Sequence, residues 1–148
     1  MTENLYSDRF KAFEENYREV TEQIAAAAGK SGRNPEDITL LAATKTVPVE
    51  VINRAIERGI SCIGENRVQE LLEKYDALNL ERCDLQFIGR LQTNKVKYLL
   101  RKVSCIQSVD SVKLAGEISR LCTRENAHMD VLVEVNIGRE TSKGGVLP

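Results

Sequence analysis

Apolar and polar positions along this chain of 148 residues follow two alternating patterns. Phe10, Phe13, Tyr17, Val20 and Ile24 recur at steps of three and four, which predicts a first helix with one apolar stripe, ending near Gly29. The segment Ser31 to Asp37 contains Gly32, Asn34 and Pro35 and reads as a loop, with Asn34-Pro35 turning the chain out of helix. Beyond it, five short apolar runs predict strands: Ile38 to Thr44, Ile60 to Gly64, Leu85 to Gly89, Val103 to Val109 and Val131 to Ile137. The runs are continuous rather than alternating, the pattern of strands covered on both faces.

Between the strands lie helical patterns with recognisable ends. Pro48 fits a first turn, Val51, Ile52, Ala55 and Ile56 share one face, and Gly59 falls just past the end. The following helices are predicted from Val68, Leu71, Leu72 and Tyr75, then from Val96, Leu99 and Leu100, then from Val112, Ala115, Ile118 and Leu121. Asn66, Asn94 and Ser111 stand where N-caps are expected.

Strand alternating with helix at this spacing predicts an α/β fold whose strands run parallel, since each crossover is right-handed. A (β/α) barrel and a doubly wound sheet are the two architectures that result. No G-x-G-x-x-G turn follows a strand, which weighs against the dinucleotide-binding version. The expected fold class is therefore a parallel (β/α)8 TIM-type barrel, represented by an N-terminal helix and about five βα units. A full barrel takes eight units and typically about 250 residues. Residues 1–148 accordingly read as the N-terminal portion of a single barrel domain, with the remaining strands expected beyond Pro148.

Composition narrows the partners. The formal net charge is −1, from 21 basic and 22 acidic residues, so there is no basic field for nucleic acid. Met1, Thr2 and Glu3 lead into a polar, amphipathic stretch, without an apolar leader or a run long enough to span a bilayer, so the cytoplasm is the expected compartment. Cys62, Cys83, Cys105 and Cys122 contain no C-x-x-C pair and read as buried free thiols. His128, the sole histidine, reads as a loop residue and makes a Ser-His-Asp arrangement unworkable within the chain.

Ligands of both architectures bind at the carboxyl ends of the strands. The residues there are polar: Lys45, then Glu65 and Asn66, then Arg90 and Gln92, then Asp110, then Asn136 leading to Ser142 and Lys143. Lys45 follows Leu40, Leu41, Ala42 and Ala43 and precedes Val47. Desolvation by such neighbours would free a neutral amine for Schiff-base chemistry. A rim lysine with its ammonium in water is the other reading, and spacing leaves both open. Asn66 is a helix cap or a ligand contact, and the two roles are compatible. Gln92, Asn94 and Lys95 sit at a predicted helix start, either as an anion site or as a solvated cap. Ser142-Lys143-Gly144-Gly145 is a polar loop, open to phosphate contact or to plain solvation.

Four ordered motifs carry a resemblance: Leu41-Ala42-Ala43-Thr44-Lys45-Thr46-Val47-Pro48; Gly64-Glu65-Asn66-Arg67-Val68-Gln69-Glu70; Phe87-Ile88-Gly89-Arg90-Leu91-Gln92-Thr93-Asn94-Lys95; and Asn136-Ile137 with Ser142-Lys143-Gly144. Together they resemble the pyridoxal-phosphate homeostasis protein family, which is similar to the N-terminal barrel of alanine racemase. The resemblance implies that Lys45 holds pyridoxal 5′-phosphate as an internal aldimine. It also implies Asn66 beside the cofactor ring and Lys143 near the mouth as a second amine. The implied function is to bind the cofactor and buffer its supply to pyridoxal-phosphate-dependent apo-enzymes, without turnover. The complete protein is expected to be a monomer, without nucleic-acid or membrane partners. Two departures from the family pattern stand out: Gln86 occupies the position where the family usually has histidine, and the phosphate-binding loops of later strands are missing. A racemase-like pyridoxal-phosphate enzyme is the alternative, although nothing in the chain supplies its second proton-transfer group. A Schiff-base aldolase barrel is the third reading.

Overall fold

The computed structural model describes residues 6–148; Met1, Thr2 and Glu3, read above for a leader, lie outside the described residues. Helix α1 spans Ser7–Lys30, and its Phe13 and Tyr17 pack against the core as the stripe predicts. The loop that follows is not irregular throughout, because Pro35–Asp37 forms a single 3-10 turn. Asn34 caps that turn by accepting the Glu36 N–H at 3.2 Å. Then come β1 (Ala42–Ala43), α2 (Val49–Glu57), β2 (Cys62–Glu65), α3 (Val68–Tyr75), β3 (Asp84–Phe87), a 3-10 helix over Thr93–Tyr98, β4 (Cys105–Val109), α4 (Val112–Glu125) and β5 (Asp130–Val133).

All five strands join one sheet in the order β1-β2-β3-β4-β5, and every pairing is parallel. A doubly wound sheet must reverse its strand order at a switch point, and this order never reverses. The fold is thus a parallel five-stranded sheet with sequential crossovers.

Register decides which residues share a face, because in-register partners of a parallel sheet point the same way while neighbours along a strand alternate. Ala42, Ile63 and Leu85 form one row, and Glu65, Phe87 and Ile106 follow on the same face. That face meets the helices: Ile63, Phe87 and Ile106 are fully buried, and Ile52, Leu71, Leu99, Leu114 and Ile118 complete the core. The opposite face carries Ala43, Gly64, Gln86, Cys105 and Asp130 in one row. Ala43 and Asp130 are exposed on it.

Several predicted details change. The first strand is two residues long, not seven, because only Ala42 and Ala43 pair with β2, opposite Ile63 and Gly64. The fifth is not covered on both faces: Val131 is 41%, Leu132 54% and Val133 62% exposed, because β5 is the sheet edge and no helix packs over it. In α4 the stripe is rotated from the predicted one. Ser111 accepts the Leu114 N–H at 3.3 Å and sets the helix phase, leaving Val112 88% exposed in the first turn and Ala115 exposed. Leu114, Ile118 and Leu121 are the buried positions. Ser111 is therefore an N-cap as expected, but Asn66 and Asn94 are not. Helix α3 starts one residue later, behind Arg67, and the 3-10 helix starts behind Gln92 with Asn94 inside it.

Candidate functional site at the strand ends

The turn after β1 carries Lys45. The Val47 N–H donates to the Thr44 carbonyl at 3.1 Å, so Lys45 and Thr46 are the central pair of a tight turn. Thr46 has φ +60°, the left-handed conformation that a type II turn needs at this place and usually gives to Gly or Asn. A β-branched residue there is strained, at a cost of about 1–3 kcal/mol that the surroundings must offset.

Those surroundings form a closed polar network. Thr44 Oγ1 donates to Glu65 Oε1 at 2.7 Å, and Lys74 Nζ donates to Glu65 Oε1 at 2.9 Å, to Glu70 Oε1 at 2.6 Å and to the Thr44 carbonyl at 3.0 Å. Glu70 Oε1 also accepts the strained Thr46 N–H at 2.5 Å. Glu65 is fully buried, and the side chain of Lys74 is only 12% exposed. Burial works against the charge of Lys74, but the bonds to Glu70 and Glu65 outweigh it and raise the ammonium above the ordinary lysine value. Glu70 is held below the ordinary glutamate value, chiefly by the bond from Lys74, against the opposing effect of burial.

Lys45 itself is exposed. Of the two readings that spacing leaves open this is the rim lysine, and the reason is geometric. Leu40 and Ala42 pack against the helix-side core, whereas Lys45 continues the alternation of the exposed Ala43. Two other lysines are ion-paired, Lys74 with Glu65 and Glu70, and Lys143 with Glu140. Among the described residues Lys45 has no such ion pair.

Asn66 directly follows β2, the strand next to β1, so the structure brings Lys45 and Asn66 to neighbouring strand ends. Asn66 Oδ1 is buried without a hydrogen-bond partner. Gly89, just past β3, lies so close to the Asn66 carbonyl that a Cβ there would fall well inside van der Waals contact. Ser108 of β4 donates to the Gly89 carbonyl, and the Ile88 N–H donates to the Glu65 carbonyl at 2.9 Å, so three strand ends are stitched together. Gln86, on the open face, donates to Asp84 at 2.8 Å and accepts from Gln107 at 2.6 Å.

Lys143 is not brought to this cluster. Its Nζ pairs with Glu140 at 2.9 Å in an exposed loop after β5, at the other edge of the sheet. Asn136 fastens that loop through two bonds to the Glu140 backbone, at 2.9 and 3.1 Å. Arg90 is 81% exposed and 3.9 Å from Asp110. Gln92, Asn94 and Lys95 belong to a six-residue 3-10 helix, not to the start of an α-helix.

Cys62, Cys83 and Cys105 are buried and Cys122 is half-buried, all as free thiols. Burial, with Asp84, Cys83 and Cys105 adding to it, pushes Cys62 to about 11, and burial likewise raises Cys83 and Cys105. Such thiols stay protonated and unreactive. His128 is exposed and pairs with Asp130 at 2.9 Å. Among the described residues no group of three or more His, Cys, Asp or Glu side chains could hold a metal ion. No described helix is long and apolar enough to cross a membrane.

Glu70 and Lys74 went unnoticed in the sequence as parts of the site. Their signal is present, as a Glu four residues before a Lys on one helix face, and so is the charged Glu65 ending an apolar strand.

The chain is thus a parallel α/β protein with an exposed lysine and a buried, unpartnered amide oxygen at adjacent strand ends, the edge at which folds of this class bind ligands. The chain is a homologue of the pyridoxal phosphate homeostasis proteins. It is 49% identical over 134 residues to the one from Aquifex aeolicus, covering 90% of this chain and 59% of that protein. It is 36% identical over 134 residues to the one from Escherichia coli, covering 88% and 57%. The chain thus spans less than two thirds of the length of these relatives. No family model matches it. Among solved structures, an unknown protein from Bifidobacterium adolescentis is similar with a TM-score of 0.86 and 37% identity over 94% of this chain and 60% of that one. PipY of Synechococcus elongatus, with pyridoxal phosphate bound, is similar with a TM-score of 0.67 and 29% identity over 83% and 57%.

Proposed function

We propose that this chain is the part of a pyridoxal phosphate homeostasis protein that carries the covalent anchor for the cofactor. The observation that carries the reading is that β1 and β2 end side by side, the first followed by the exposed Lys45 and the second by Asn66, whose Oδ1 is buried without a partner. These residues fit the group: an orphaned acceptor calls for a donor from a ligand, and the amine beside it is committed to no partner. The cofactor, when bound, supplies an aldehyde that condenses with an amine with loss of one water. Lys45 provides that amine, and Asn66 orients the ring beside it. Gly89 leaves room for the Asn66 backbone to take up this position.

The domain is a (β/α)8 barrel whose later strands continue past β5. Support comes from the unreversed strand order and from the exposed apolar residues of β5, which a sixth strand and its helix would cover. In an eight-stranded barrel the first and fifth strands are diametrically opposed, so Lys143 would face Lys45 across the mouth as a second amine. The complete protein is read as a cytoplasmic monomer that holds the cofactor for apo-enzymes and does not turn over substrate. The names of the relatives support that role.

The test is to add pyridoxal 5′-phosphate to the chain and to its Lys45→Ala variant. The chain should develop a yellow absorption band that the variant lacks, and an undiminished band in the variant would remove Lys45 from the reading. Conversion of L-alanine to D-alanine by the loaded protein would instead establish the racemase alternative.

A further inference from the structure

Residues on both sides of Lys45 are tied to one side chain that the function described above does not use. Lys74 Nζ has three N–H donors, and all three are spent: on Glu65, on Glu70 and on the carbonyl of Thr44. Thr44 precedes Lys45, and its hydroxyl adds a bond to Glu65. Thr46 follows Lys45, and its N–H is held by the same Glu70 oxygen that Lys74 grips. The turn between them is strained at Thr46 and would relax if released.

We propose that Lys74 is a positioning residue for cofactor capture: through Glu65 and Glu70 it locks the Thr44–Val47 turn in the strained conformation that presents the Lys45 amine to the ring site beside Asn66. The inference rests on the reading of Lys45 as the anchor. The arrangement separates the roles of two lysines. Lys74, with no free donor and little exposure, holds the frame, while Lys45 keeps its amine free. Glu70 transmits the hold by a hydrogen bond to a backbone N–H, so a neutral acceptor at this position would keep part of it. Alanine would keep none.

The experiment is reductive trapping of pyridoxal 5′-phosphate on the 148-residue chain with cyanoborohydride, read by peptide mapping as the labelling of Lys45 relative to the other lysines. The variants are Lys74→Met, Glu70→Ala and Glu70→Gln, and Lys45→Ala is the blank. Exchange of the Thr46 and Val47 amides is followed in parallel. In the parent chain Lys45 should be labelled preferentially. Lys74→Met and Glu70→Ala should lower that preference by about tenfold or more, the scale set by small misplacements of a reacting group. The two amides should exchange faster, and Glu70→Gln should recover most of the preference. Glu70 lies nearer the surface than Glu65, so Glu70→Ala decides the matter if Lys74→Met does not fold. A parent preference kept within twofold in Glu70→Ala and in any folded Lys74→Met overturns the role of Lys74 and leaves Lys45 as the anchor. No preference for Lys45 in the parent chain overturns the anchor itself, and with it this inference.

Discussion

Lys74→Met should destabilise the fold far more than the loss of a surface ion pair. The exposed Arg54–Glu57 pair, with side chains 45% and 56% exposed, sits in the class worth about 0.2–1 kcal/mol. The Lys74–Glu65 pair is different, at 12% and 0% exposure. Without the ammonium, Glu65 Oε1 keeps only the Thr44 hydroxyl, and Oε2 already lacks a partner. Removing one partner of a buried pair costs about 3–5 kcal/mol, because the other charge is left uncompensated. Glu65→Leu combined with Lys74→Met removes that orphaned charge, so the double variant should be more stable than Lys74→Met alone. Urea unfolding at constant m-value measures Lys74→Met, Glu65→Leu and the double variant. A single-variant cost under about 1 kcal/mol, or strictly additive costs in the cycle, would refute the reasoning.

Three further outcomes follow from the same structure. Gly89→Ala places a methyl group against the Asn66 backbone and should cost about 1–3 kcal/mol while weakening cofactor retention, read by thermal melting and by the absorption band; an unchanged melting temperature would contradict the close approach. Phe87→Ala empties a fully buried position facing the helices and should cost about 3–5 kcal/mol in denaturant, with a loss below about 1 kcal/mol contradicting the assigned register. For pH, Glu70 is lowered in the fold, so its contribution is complete above the ordinary glutamate value of about 4.3 and fades as pH falls through the lower folded value. Lys74 is raised, so its contribution is complete below the ordinary lysine value of about 10.4 and fades as pH rises through the higher folded value. Unfolding curves across pH should therefore lose stability at both ends, and Lys74→Met should flatten the alkaline limb.

Strand–helix alternation was legible because each core-facing helix repeats its apolar residues at a helical period and each strand is a short apolar run. Errors fell where tertiary context decides. The run Val131 to Ile137 looks like a doubly covered strand, yet at the edge of the sheet it is exposed. Val112 looks apolar and core-directed, yet the Ser111 cap sets the phase of α4 and turns it outward. Lys45 is a candidate from its place at a strand end, and of the two readings its spacing leaves open the structure shows the exposed rim lysine. Sequence neighbours on a strand point to alternate faces, so Leu40 and Ala42 shield the core and not the lysine. Glu65, Glu70 and Lys74 were harder to read, since their meaning lies in bonds between β1, β2 and α3 that no local window contains.

Under the proposed reading of Lys45 as the anchor, the same network lets that anchor be an exposed residue. A lysine at a rim carries rotamer freedom that would blur its aim, and the usual remedy is burial of its stem. Here the backbone is constrained instead. Thr44 is fixed by its hydroxyl and its carbonyl, Thr46 by its N–H, and both constraints converge on Lys74 in a different element. The side chain of Lys45 therefore departs from a defined point while its amine remains open to solvent and to an arriving aldehyde. That suits a carrier, which must take up and give back its cofactor. A lysine buried to lower its affinity for protons would exchange the aldehyde through a closed site, whereas an exposed lysine on a clamped turn can meet both free cofactor and a second amine.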